Sequence, residues 1–141
     1  ETALSCFYDP AKEEAPECGL ASHSYYDEDW GGISARQGWD TKDCNVDFGN
    51  TCYNDHHYHF GYFVVSASIL AQIRPAVLKE PLFTSYINTL IRDTTNPSKD
   101  DEFFPQFRAF DWFDLHSWSH GVAPMHDGKD QESTSEEINL L

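Results

Sequence analysis

Between Asn54 and Gly61 the chain reads Asn-Asp-His-His-Tyr-His-Phe-Gly, one carboxylate, three imidazoles and an amide directly ahead of an apolar segment. A helix start needs one polar cap, not five polar side chains. Burying such groups costs folding energy, so their crowding points to a site. About 70 residues later, Asp127-Gly128-Lys129-Asp130-Gln131-Glu132-Ser133-Thr134-Ser135-Glu136 supplies a second set of carboxylates. If the two segments meet, the chemistry within reach is hydrolysis of a glycosidic bond. One carboxyl, protonated, assists the leaving oxygen while an ionised partner activates water or attacks carbon. Asp55, among imidazoles and beside an apolar helix, suits the first role, and Glu132 or Glu136 the second. Four residues apart, Glu132 and Glu136 share a face if both are helical, and like charges there repel; Asp130 and Glu137 read instead as acids favoured by a helix N-terminus.

The histidines offer a rival chemistry. His56, His57, His59, His116, His120 and His126 could ligate a metal, with His116 and His120 four apart. No His-Glu-x-x-His run accompanies them, and Asp127-Gly128-Lys129-Asp130 lacks the alternating ligands of a calcium loop. A phosphate-binding loop, a dinucleotide fingerprint and a Gly-x-Ser-x-Gly elbow are also missing from the sequence.

Charge narrows the ligand. With 24 acidic against 9 basic residues the net charge is -15, which disfavours nucleic acid and anionic membranes. No stretch approaches the ~20 apolar residues of a membrane span. Aromatics make up 15% of the chain, with tryptophans at 30, 39, 112 and 118. Rings beside carboxylates and amides suit a sugar groove, which needs a flat apolar face and hydroxyl acceptors; the same rings could simply fill a core. Cys6, Cys18, Cys44 and Cys52 match no zinc-finger spacing. They suit two local disulfides in an oxidising compartment, free thiols being the alternative.

The elements that must position these groups are mainly helical. Phe60, Phe63, Val64, Ala67, Leu70 and Ala71 recur at helical spacing and predict a largely buried helix over 58–73. Pro75 and Pro81 bracket a break, a second helix runs over 82–92, and Asn96-Pro97 stops it. Residues 1–29 read as loop with at most a helical turn near 11–15, residues 34–53 as loop or short strands, and 98–129 as aromatic-rich loop. Ser133-Thr134-Ser135-Glu136 has the form of a capping box, so a third helix should begin near 133. Helices joined by long functional loops suggest an all-α scaffold.

Four ordered blocks carry a family resemblance: Asn54 to Tyr62, Phe104-Pro105-Gln106-Phe107-Arg108-Ala109-Phe110-Asp111-Trp112-Phe113, His116-Ser117-Trp118, and Asp127 to Glu136. Trp30-Gly31-Gly32, Asp47-Phe48-Gly49-Asn50 and Arg92-Asp93 fit the same pattern. Together, over roughly residues 25–139, they resemble glycoside hydrolase family 81. That resemblance implies an inverting endo-β-1,3-glucanase, secreted or cell-wall associated, that acts on laminarin-type polysaccharide without a metal or other cofactor. It implies a six-fold α/α-barrel catalytic domain preceded by a β-sandwich. Residues 1–141 are too few for either, so the chain reads as part of the barrel domain. Asp55 matches the general acid, Glu136 the base and Glu132 a neighbouring essential carboxylate. His56, His59, Asp111, His116 and Lys129 would line the cleft, with Trp112 and Trp118 as stacking platforms. The chain departs from the pattern at Leu115 (usually Gly), His120 (usually small) and Asp130 (usually Asn). A glucan-binding protein without turnover is the second expectation, and a histidine-bound metal the third.

Overall fold

A computed structural model describes residues 2–12, 18, 24–121 and 130–141. Its frame is a pair of helices, α3 (His56–Ile73) and α4 (Pro81–Thr95), joined by a 3-10 segment at Pro75–Lys79. α3 starts within the polar cluster, with Asp55 just before it and His56, His57 and His59 in its first turns, and Arg74, the residue before a proline, leaves the helical region as expected. Pro81 opens α4, where its missing N–H costs nothing, and Asn96 caps it ahead of Pro97. Both helices lie where the periodicity placed them, each a few residues longer.

Ala67 of α3, Val77 of the connection and Phe83 of α4 form a buried core, with Leu70, Ala71 and Ile87 packed around it. Burying a side chain of the size of Val77 or Phe83 stabilises by ~1.5–3 kcal/mol. The N-terminal segment, expected as loop, contributes helix α1 (Thr2–Tyr8). α1 is held by rings: Phe7 meets Phe63 edge-on at 4.7 Å, and Tyr8 meets Phe83 at 6.0 Å and Tyr86 at 5.8 Å. Seven residues give too little periodicity to announce this helix, and long-range aromatic packing decides it.

The all-α expectation also misses two small antiparallel sheets. Strands β1 (Ser24–Asp27) and β2 (Gly32–Ala35) form a hairpin in which Tyr26 faces Ile33. β2 leads straight into α2 (Arg36–Thr41), which had read as loop. Strands β3 (Phe110–Asp111) and β4 (His116–Ser117) pair across the turn at 112–115. Disulfides join Cys6 to Cys18 and Cys44 to Cys52, both local. Helix α5 (Thr134–Glu137) is only four residues long. The residues just after it lie against α3 at Gly61, where a Cβ would stand 2.9 Å from Asn139 Cβ.

Candidate active site

Asp55 is the residue before α3 and adopts a left-handed backbone, φ 51°. Outside glycine that conformation is uncommon and costs stability, and at such a place strain often marks function. Neighbouring bonds fix it: its N–H donates to the Ser119 carbonyl at 2.6 Å, and its own carbonyl accepts from the His59 N–H. The side chain does not cap the helix, so the carboxyl is left for another task. Oδ1 is buried without a hydrogen-bond partner among the described residues. Burial first, then the charge of Glu132 and a hydrogen bond to it, push the Asp55 carboxyl up to about 6; Glu136 adds to this and His120 opposes it. A carboxyl that keeps its proton well above the ordinary carboxylate range suits a general acid.

Glu136 faces the same group of residues. Its Oε1 accepts from the Tyr62 hydroxyl of α3 at 2.6 Å, and its charge acts on Asp55, His57 and His59. The capping box expected over Ser133–Glu136 does not form, because Ser133 makes no side-chain cap and its hydroxyl lies 3.1 Å from that of Ser135. Freed from capping, Glu136 turns toward α3. Glu132 stands exposed on the lead-in to α5. Glu137, read as an acid at a helix N-terminus, is instead buried: its Oε1 accepts from the Ser117 N–H at 2.9 Å and its Oε2 from Gln131 at 3.3 Å. It holds β4 to α5.

The histidines divide. His56 is 1% exposed, with Nε2 2.8 Å from Asp93 Oδ2 and Nδ1 3.4 Å from the Asn50 carbonyl. Asp93 Oδ1 accepts from Arg108 Nε at 2.8 Å, and its Oδ2 also accepts from the Ile33 N–H at 2.9 Å. Burial works to raise the Asp93 carboxyl, but His56, Arg108 and the Ile33 N–H outweigh it and hold it below the carboxylate range. Arg108 lies 4.5 Å above the Tyr53 ring, whose hydroxyl donates to Asp27 at 2.8 Å. Arg108 also donates to the carbonyls of Trp30 and Gly31. His56 thus belongs to the floor and frame of the site, not to its open wall. His57, equally buried, is driven down to about 4 by burial and the adjacent His56; its Nε2 lies 2.8 Å from Ser117 Oγ. His59 is half-buried and stacks on Phe48, an 85% exposed ring, at 6.4 Å.

Above that floor lies a cavity of about 380 Å³ lined by Trp30, Tyr53, Phe107, Arg108, Trp118 and His120, among others. Trp118 donates to Asp111 Oδ2 at 3.0 Å and meets the His116 ring edge-on at 4.5 Å. Asp111 also accepts the N–H groups of Phe113 and Asp114, so it shapes the turn; the Trp118 bond and these two lower its carboxyl. Trp112 is 63% exposed, with edge contacts to Phe107 and Phe110. Lys129 and His126 lie outside the described residues. The helical pairing of His116 and His120 fails, since His116 is in β4 and 118–120 carry no helix. Among the described residues, no three His, Cys, Asp or Glu side chains are grouped to hold a metal ion. His120 and Asp130, both departures from the resembled pattern, meet at 3.5 Å. Tyr62, Tyr53 and Phe48 take part without having been singled out for a role, because nothing in their spacing reveals a cross-helix contact.

The grouped carboxyls of Asp55, Glu132 and Glu136, with a ring-lined cavity at His57 and His120, define a candidate site on a helical scaffold. The glycosyl hydrolase family 81 C-terminal domain matches residues 19–141. A glucan endo-1,3-beta-D-glucosidase of Arthroderma benhamiae is 48% identical over 112 residues, 79% of this chain and 12% of that protein. The primary septum glucan endo-1,3-beta-D-glucosidase of Schizosaccharomyces pombe is 42% identical, over 82% of this chain and 11% of that protein. A solved family 81 glycoside hydrolase mutant from Clostridium thermocellum superposes with a TM-score of 0.72 at 34% identity, covering 89% of this chain and 17% of its own. The chain belongs to glycoside hydrolase family 81. It spans less than a fifth of the length of each of these relatives.

Proposed function

We propose that the protein hydrolyses internal bonds of β-1,3-glucan with inversion, with Asp55 as general acid and Glu136 as general base. The observation that carries this is the Asp55 carboxyl, raised to about 6 beside Glu132 and within the field of Glu136. The relatives' names support the substrate. In the step, Asp55 gives its proton to the glycosidic oxygen as the anomeric C–O bond breaks. A water oxygen bonds the anomeric carbon from the opposite face, and the water's proton passes to Glu136. Such enzymes hold the two carboxyls ~6.5–9.5 Å apart to admit that water. Glu132, hydrogen-bonded to Asp55, is too close to serve with it in this way and instead keeps the acid protonated. His59, Trp118 and Trp112 offer rings to the sugar, and Lys129 a cation.

In this reading residues 1–141 are part of a six-fold α/α-barrel catalytic domain. The two disulfides suit secretion or the cell wall, where thiols oxidise. The test uses the full-length protein on laminarin: Asp55→Asn and Glu136→Gln should each abolish release of reducing sugar while leaving glucan binding intact. Full activity in either variant would remove its assigned role. The exposed Trp112 and Phe113 would also serve a glucan-binding protein without turnover. Binding of laminari-oligosaccharides by the wild type with no cleavage would favour that reading.

A further inference from the structure

We infer that Tyr62 is a positioning residue that aims the base, a role that rests on the reading of Glu136 above. Its hydroxyl donates to Glu136 Oε1 at 2.6 Å, the one side-chain hydrogen bond to Glu136 among the described residues. α5 is a single turn and cannot aim a flexible glutamate unaided. α3 does it through one face: the Tyr58 hydroxyl accepts from the Ser133 N–H at 3.3 Å, Gly61 lets Asn139 approach, and Tyr62 takes the carboxylate. These residues fall at i, i+3 and i+4, one stripe of a helix. With Oε1 engaged, Oε2 is the oxygen left for the water proton. The charge of this carboxylate also reaches Asp55, His57 and His59, all on or just before α3.

The experiment compares wild type with Tyr62→Phe in the full-length protein on laminarin. The expected result is a kcat lower by ~10- to 100-fold with KM nearly unchanged, the cost of a misplaced catalytic group. Azide should rescue Glu136→Ala and not Glu132→Ala. An unchanged kcat, with rescue intact at Glu136, overturns the role of Tyr62 alone, as does a kcat loss that follows a fallen Tm. Rescue at Glu132 instead overturns the base assignment and this inference with it.

Discussion

At the scale of single residues, the site works by setting carboxyls against one another. Asp55 is raised by burial and by Glu132; with Asp55 as the proposed acid, activity should fall as pH rises through about 6 and that proton is lost. Glu132→Gln removes that neighbouring charge, and the basic limb of the pH–kcat/KM profile should then shift to lower pH; a limb that stays in place would show Glu132 does not tune the acid. The same shift bears on folding. A carboxyl whose folded pKa lies above its unfolded value of 3.8 weakens the native state as pH climbs from 3.8 past 6. Asp55→Asn should therefore stabilise at pH 7 by ~1 kcal/mol, discounted for partial exposure. The gain should disappear below about pH 3, where both states are protonated, and thermal melts at the two pH values measure it.

At the scale of elements, close approach and turn geometry decide. Gly61 is the place where α3 admits the chain after α5, and a methyl there overpacks a contact that aims Glu136. Gly61→Ala should cost ~1–3 kcal/mol of stability and lower kcat as well; an unchanged melt would mean that the segment yields freely. Leu115 sits in the turn between β3 and β4 with φ 60° and its side chain 70% exposed. A leucine in left-handed backbone costs ~1–2 kcal/mol, against ~0.5–1 for the extra chain entropy of glycine. Leu115→Gly should thus stabilise by roughly 0.5–1 kcal/mol, read as a higher denaturant midpoint, and any loss would point to a contact made by the leucine.

Across the whole molecule, one buried ionic network ties together parts far apart in sequence. Asp93 of α4 holds His56 of α3, Arg108 of the 105–109 loop and the Ile33 N–H of β2. Removing the shared carboxylate leaves His56 and Arg108 buried without their partner. Asp93→Ala should cost ~3–5 kcal/mol, measured by chemical unfolding of the full-length protein, and a loss below 1 kcal/mol would show that the network relaxes easily.

What the sequence determined by itself was the inventory and the two long helices. The polar run at 54–61, the period of 58–73 and the prolines at 75, 81 and 97 are local signals, readable because helix faces and chain breakers act over a few residues. Asp55, Glu132 and Glu136 were legible as candidates for the same reason. Which groups touch was not. His56 went into the frame beside Asp93, Glu137 into a buried bond with β4, and Glu136 to Tyr62 in place of its own cap. Those outcomes depend on segments 20 to 74 residues apart meeting in three dimensions, where burial and partner charge reset what each side chain can do.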